Sequence, residues 1–168
     1  MYFLKKWINN DKEGEIMVVS QYLEKNFCIM ELESADKEAA IYEIAEKLNQ
    51  GKKLINKDKF ILDVLERENL GSTGIGNNVA IPHARTDSVK GFVIGFGRSS
   101  SGINFKALDG EKVKLIFLMG AEPKELNLYL RILAELSKLL MNSSFRKDLI
   151  SAENPQEIIN VIKKFEKQ

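Results

Sequence analysis

The chain has 168 residues, of which 44% are hydrophobic and 29% charged, proportions that are typical of a globular protein and exclude a disordered or fibrous one. This length suffices for one compact domain whose core needs no metal ion or disulfide to hold it together. The 25 basic and 24 acidic residues leave a formal net charge of +1, which excludes a sequence-wide positive field for binding nucleic acid or an anionic membrane.

The number and spacing of the cysteine and histidine residues indicate whether disulfides or metal sites can form. Cys28 is the only cysteine, so an internal disulfide is impossible, and no Cys/His cluster has the spacing of a zinc site. We therefore expect no metal site and no cofactor. The cysteine content suits a reducing compartment, so we expect a cytoplasmic protein.

The first eight residues, MYFLKKWI, mix apolar and basic side chains. Polar and acidic residues at 9–13 end this apolar run well short of a signal-peptide core or a membrane span. We therefore interpret residues 1–17 as an N-terminal extension that forms a surface arm. The domain itself would comprise residues 18–168, without direct insertion into a membrane.

Helical periodicity dominates the part of the chain that follows. Weak patterns predict a short helix or loop over 18–23 and a strand over 27–30. Apolar residues spaced i, i+3, i+4 and i+7 then predict an amphipathic helix that ends at Gly51. A second helix is predicted near 57–69, and Arg67 lies in its last turn.

A break in regular structure is predicted in the middle of the chain. The segment GSTGIGNN, residues 71–78, holds three glycines and four small polar residues, which is loop composition. A brief strand over 79–81 follows, and Pro82 ends it because proline lacks a backbone donor. His83, the only histidine, comes directly after this proline.

Two longer strands are predicted next. Residues 91–97 alternate apolar side chains, and residues 113–119, VKLIFLM, are apolar enough for a central position in a sheet. The linker between them contains a turn at Asp109-Gly110.

The C-terminal part of the chain is predicted to be helical. A long helix after Pro123 carries Tyr129 on an apolar stripe, and a last helix begins with Asn154 as its cap and Pro155 at its first position. Helices before and after a cluster of strands indicate an α/β fold. We predict a three-layer α/β/α sandwich with a mixed sheet of about four to five strands flanked by helices.

The glycine-rich segment has the composition of a phosphate-binding loop, because backbone without Cβ atoms can turn its N–H groups toward an anion. A Walker A loop would need lysine and then serine or threonine where the chain has Asn77 and Asn78. A dinucleotide fingerprint would need glycine or alanine in place of Val79. Both departures argue against a nucleotide-binding enzyme.

His83 is the candidate nucleophile of this region. A neutral imidazole can attack phosphorus, because one ring nitrogen keeps its lone pair. The phosphohistidine would carry nearly two negative charges, which guanidinium forks and N–H or O–H donors stabilise. Residues of these types flank it in the sequence: Arg67, Ser72, Thr73 and Arg85. Taken singly, each of these residues is more often a packed, capping, turn or surface residue.

The stretch LERENLGSTGIGNNVAIPHAR, residues 65–85, resembles the signature of the mannitol/fructose-type (type 2) enzyme IIA domains of the bacterial phosphoenolpyruvate:sugar phosphotransferase system. Nitrogen-regulatory IIA proteins belong to the same family. Weaker features extend the resemblance to about residues 18–166, among them Phe105, Asp109-Gly110 and the leucine-rich helix after Pro123.

The resemblance implies a role for each candidate residue. His83 matches the histidine that takes a phosphoryl group from the phosphohistidine of the small carrier HPr, or of a paralogue, and hands it on. Arg67 matches the arginine that helps to neutralise this group. Ser72, Thr73 and Arg85 match further positions at which a phosphate would be bound.

Tyr129 marks a departure from the family pattern. Many members have a second histidine at this position, at the start of the helix after the apolar strand. Tyrosine donates a hydrogen bond to phosphate but does not form a cation near neutral pH. Tyr129 is thus either a phosphate-binding residue or a core residue on the helical stripe.

Two functions follow from the resemblance, and the sequence leaves both open. A sugar-transport phosphocarrier would pass the phosphoryl group from HPr to the cysteine of an enzyme IIB component on another chain. A nitrogen-regulatory module would instead use the phosphorylation state of His83 to control binding to target proteins. Neither function involves a nucleic acid partner.

Overall fold

The structure is a computed structural model that describes residues 19–168, and the predicted extension, residues 1–17, lies outside this range. The described residues form five α-helices: α1 (Lys37–Gln50), α2 (Lys57–Asn69), α3 (Leu126–Met141), α4 (Ser143–Ser151) and α5 (Pro155–Glu166). Six strands form one sheet: β1 (Cys28–Ile29), β2 (Gly74–Gly76), β3 (Val79–Ala80), β4 (His83–Arg85), β5 (Phe92–Ile103) and β6 (Val113–Ala121). Within residues 19–168 no helix combines the length and hydropathy that crossing a bilayer requires.

Strand β6 is the centre of the sheet, as its apolar sequence predicts. It pairs antiparallel with β5 and parallel with both β3 and β4, while β1 and β2 lie at the two edges. Helices α1 and α2 cover one face, and α3, α4 and α5 cover the other. The predicted α/β class with a mixed sheet is therefore confirmed, and the strand count is six because Gly74–Gly76 forms a strand and the chain resumes pairing after Pro82.

The interruption at Pro82 leaves the register of the sheet unchanged. Ala80 pairs with Ile116 before the break, and His83 pairs with Met119 after it, so both sides keep the same offset. The carbonyl oxygen of Pro82 still accepts a hydrogen bond from Met119 N at 3.0 Å. Strand pairing is therefore interrupted at Ile81 and Pro82, directly before His83, while His83 itself keeps its place in the sheet.

The predicted loop over 71–78 was wrong in part, because Gly74–Gly76 forms strand β2 and pairs antiparallel with β3. Asn77 and Asn78 make the connecting turn, with φ angles of 55° and 64°. Two-residue hairpins favour turns with positive φ at both positions, and asparagine adopts this conformation readily. The loop composition thus marked a hairpin.

Two further boundaries differ from the predictions. Strand β5 extends to Ile103 instead of ending at residue 97, because its polar second half still pairs near the start of β6. The helical segment after Pro123 divides into α3 and α4, since Asn142 ends one helix and caps the next with its side chain.

A glycine in β6 lets α2 approach the sheet closely. A Cβ atom at Gly120 would lie 2.6 Å from a ring carbon of Phe60 and 3.2 Å from a side-chain carbon of Val89. Phe60 is fully buried on α2, and the same helix carries Arg67 in its last turn. The close contact between Phe60 and Gly120 therefore helps to hold α2, the helix that carries Arg67, against the sheet.

We predict that Gly120→Ala lowers the free energy of unfolding by about 1–3 kcal/mol, because the added methyl group overpacks the contact with Phe60. Urea denaturation monitored by circular dichroism measures this change. Gly71→Ala is the matched control, since a Cβ there has no neighbour within 4 Å and should change stability little. Equal stability of the Gly120→Ala variant and the wild type would contradict the close approach.

Candidate functional site

The ring of His83 is held by a hydrogen bond to the backbone two residues earlier. Its Nδ1 lies 2.6 Å from the carbonyl oxygen of Ile81. A carbonyl oxygen only accepts, so Nδ1 carries the proton and donates it. This bond selects the tautomer in which Nε2 keeps its lone pair, and Nε2 is therefore the nucleophilic nitrogen.

The surroundings of His83 favour the neutral imidazole. Burial lowers the pKa of His83 below its ordinary value, because desolvation penalises the charged form. The hydrogen bond to Ile81 raises the pKa, the positive charge of Arg67 lowers it, and the negative charge of Glu68 raises it. The net effect is a lowered pKa, so the ring is uncharged and nucleophilic at neutral pH.

A cleft of about 350 Å³ lies beside this histidine. Helix α2, strand β4 and the start of α3 converge on it. The structure brings four of the predicted site residues together here and leaves two outside. The cleft is lined by Asp63, Arg67, His83, Ala84, Arg85, Leu126, Tyr129 and Leu130.

Two arginines reach the cleft from different elements. Arg67 projects from the last turn of α2 and donates from Nη1 to the carbonyl oxygen of Gly71 at 3.1 Å. Arg85 is two residues after His83 in β4, so both side chains point to the same face of the sheet. Two guanidinium groups thus lie beside a neutral imidazole in a chain that is nearly neutral overall, an arrangement of the kind that can bind an anion.

Tyr129 forms a wall of the same cleft. Its ring centroid lies 5.8 Å from that of His83, in an edge arrangement with an interplanar angle of 61°. The side chain is only 7% exposed, and its hydroxyl has no hydrogen-bond partner within residues 19–168. Burial raises the pKa of Tyr129, and the charges of Arg67 and Arg85 oppose this rise. Tyr129 thus packs in the core and lines the cleft, and its raised pKa keeps its hydroxyl protonated at neutral pH.

Ser72 and Thr73 are placed differently from the other candidates. The Ser72 hydroxyl donates to the carbonyl oxygen of Phe105 at 2.7 Å. Thr73 is buried, and its hydroxyl donates to Glu68 Oε2 at 2.6 Å. Neither residue lines the cleft, so in this structure both hydroxyls hold the glycine-rich segment in place.

Glu68 is a residue of this region that the sequence analysis missed. It is 4% exposed, accepts hydrogen bonds from both the backbone and the side chain of Thr73, and forms an ion pair with Lys37 Nζ at 3.0 Å. Its position, four residues after Val64 and seven after Ile61, lies on the apolar face of α2. A glutamate on the apolar face of a predicted helix indicates a buried carboxylate that must be paired, and this pattern was present in the sequence.

Comparison with known proteins identifies a family. The family model described as phosphoenolpyruvate-dependent sugar phosphotransferase system, EIIA 2, matches residues 21–165. The fructose-specific EIIABC component of Bacillus subtilis is 38% identical over 151 residues, which are 90% of this chain and 24% of that protein. The chain therefore spans about a quarter of the length of that relative.

Two further matches cover most of the length of the related protein. The fructose-specific EIIA component of Haloferax volcanii is 34% identical over 128 residues, or 76% of this chain and 83% of that protein. The crystal structure of the nitrogen regulatory protein IIA-Ntr from Neisseria meningitidis superposes with a TM-score of 0.80 and 26% identity. That match covers 86% of this chain and 98% of the other.

The environment of the histidine gives a test by titration. We predict that the pKa of His83 lies below about 6.5, the ordinary value for histidine, because burial and Arg67 disfavour the imidazolium. Arg67→Gln should raise this pKa by removing a positive charge, and Arg131→Gln, an exposed site on α3, should leave it unchanged. Nuclear magnetic resonance of the imidazole protons measures it directly, since the chain has one histidine. A wild-type pKa at or above 6.5 would refute the prediction.

Proposed function

The chain belongs to the EIIA 2 family of phosphoenolpyruvate-dependent sugar phosphotransferase systems, and from this premise we propose that it is a phosphocarrier with His83 as the phosphoryl acceptor. The donor would be the phosphohistidine of HPr or of an HPr-like protein. The observation that carries the proposal is a histidine with an unprotonated Nε2 that lines a cleft together with two arginines.

The transfer needs no metal ion and no general base. The lone pair of Nε2 attacks phosphorus in line with the N–P bond of the donor, and that bond breaks as its electron pair returns to the donor imidazole. His83 keeps the proton on Nδ1, which continues to donate to the carbonyl oxygen of Ile81. No proton has to move in this step, and the same geometry serves the reverse step when the group leaves.

The positive groups of the cleft would stabilise the transferred group. Arg67 and Arg85 neutralise its charge, which is nearly two negative units on the phosphohistidine. Tyr129 can add one O–H donor, since it lines the cleft and its hydroxyl has no hydrogen-bond partner among the described residues. Exposed Leu126 and Leu130 at the rim, with 37% and 52% of their surface accessible, would contact the carrier proteins.

The onward acceptor in this proposal is the cysteine of an enzyme IIB component, in phosphoenolpyruvate-dependent uptake of a sugar. The fructose-specific relatives support this direction, because one is named as a chain that joins the A component with B and C components. We assign residues 18–168 to the EIIA domain and residues 1–17 to the extension. The cytoplasm is the proposed location, and the lone buried thiol of Cys28 fits a reducing compartment.

A nitrogen-regulatory role is the second candidate, favoured by the TM-score of 0.80 to IIA-Ntr and by tyrosine at position 129. In that role the phosphorylation state of His83 would switch binding to a target protein. Incubation of the phosphorylated chain with a fructose-type IIB component distinguishes the two. Rapid transfer supports the sugar carrier, and retention of the phosphoryl group on His83 supports the regulatory role.

Intact-protein mass spectrometry tests the carrier chemistry. After incubation with phosphoenolpyruvate, enzyme I and HPr, the wild type should gain about 80 Da in acid-labile form, and His83→Ala should gain nothing. Arg67→Ala should be phosphorylated roughly 100-fold more slowly, because one fixed donor to the transition state is lost. Arg131→Ala is the matched arginine control and should react at the wild-type rate. Phosphorylation of His83→Ala would refute the proposal.

A conservative pair of variants separates the two roles of Tyr129. Tyr129→Phe keeps the ring against His83 and removes the hydroxyl, so it should fold normally and accept the phosphoryl group about tenfold more slowly. Leu130→Ala is the neighbouring control for contacts with the carrier and should raise the apparent KM with little change in kcat. Wild-type kcat in Tyr129→Phe would assign Tyr129 to packing alone.

A further inference from the structure

A groove of about 990 Å³ runs along the outer side of α1, and it shares no lining residue with the cleft at His83. Its apolar lining comes from three elements: Ile29 in β1, Tyr42 in α1, and Ile61 and Leu65 in α2. Tyr42 has 49% of its surface exposed, although it is a large aromatic residue. The groove thus offers apolar surface that the described residues leave uncovered.

Acidic side chains give this groove a negative charge. Four glutamates and one lysine are among its lining residues, which leaves three net negative charges. Glu46 is paired with Lys57 at 2.6 Å, and Glu43 accepts hydrogen bonds from the loop before α1. Glu33 and Glu38 are exposed and pair with no cation among residues 19–168. An occupant that combines apolar and basic groups would complement this surface.

The first eight residues of the chain combine apolar and basic side chains. Residues 1–8, MYFLKKWI, contain two lysines, no acidic residue and six large apolar or aromatic side chains. We propose that this segment binds in the α1 groove of its own chain. Its apolar side chains, Trp7 among them, match the apolar lining in chemistry, and Lys5 and Lys6 are opposite in charge to Glu33 and Glu38.

The connecting segment is long enough for this contact. Residues 9–18 separate the basic segment from the turn at Val19–Gln21, and ten extended residues span up to about 33 Å. A domain of about 150 residues has a radius of gyration of about 15 Å, so this reach covers most of its surface. Tethering also raises the effective concentration of the segment at the groove, which favours binding within one chain over binding between chains.

Trp7 makes the proposal directly measurable, because it is the only tryptophan in the chain. In the full-length wild type at low salt, its fluorescence emission should be blue-shifted and less quenched by acrylamide than in the same chain unfolded in urea. The double variant Glu33→Lys/Glu38→Lys should lose the blue shift and the protection. Adding Lys5→Glu/Lys6→Glu to that variant restores the opposite charges and should recover both signals.

A matched control uses Glu111→Lys/Glu153→Lys, two exposed acidic positions outside the groove, and should keep the wild-type emission. Loss of the blue shift in this control would attribute the effect to net charge and overturn the proposal. Wild-type emission equal to that of the unfolded chain would overturn it as well. A blue shift that grows with protein concentration, together with a dimer in analytical ultracentrifugation, would place the segment on a second copy and also overturn it.

Discussion

The hydrogen bond from His83 Nδ1 to the carbonyl oxygen of Ile81 decides which imidazole nitrogen is free to react. That carbonyl is available because β3 ends at Ala80 and pairing resumes only at His83, with Pro82 between them. The unchanged register across the break keeps the histidine in the sheet. A short interruption in a buried strand therefore supplies both the tautomer and the position of the nucleophile.

Helix α2 connects this strand to the charges that act on it. Its buried face meets the sheet where Gly120 leaves room for Phe60, and its last turn carries Arg67 and Glu68. Arg67 faces the cleft, whereas Glu68 turns inward and holds the glycine-rich segment through Thr73. Adjacent residues on one helix thus serve the site in different ways, one by charge at the surface and one by hydrogen bonds in the interior.

The electrostatics of the site are local, and this matters for the proposed phosphocarrier, which would both gain and lose a phosphoryl group. Burial and Arg67 keep the pKa of His83 low, so the proposed acceptor would be neutral before transfer. Two arginines would then balance the charge of the transferred group, and the exposed side chains of Leu126 and Leu130 line the same cleft. Tyr129 supplies a ring and a hydroxyl without adding a further positive charge, which leaves Arg67 and Arg85 as the cations of the cleft within residues 19–168.

Features that depend on local patterns of residues could be predicted from the amino-acid sequence. Four features are of this kind, because each depends on residues that are close in the sequence. They are the periodicity of α1 and α2, the apolar run of β6, the cap at Asn154 and the signature around His83. The strand order, the pairing of Gly74–Gly76 as a strand and the hydrogen bonds of the Ser72 and Thr73 hydroxyls became evident only in the three-dimensional structure. The Ser72 hydroxyl donates to the carbonyl oxygen of Phe105, and the Thr73 hydroxyl donates to Glu68. Both acceptors are brought within hydrogen-bond distance by the packing of α2 and the sheet. Hydrogen bonds between segments that are distant in the sequence form only after packing has brought the groups together. The local pattern of residues therefore does not predict which groups will be close enough to bond.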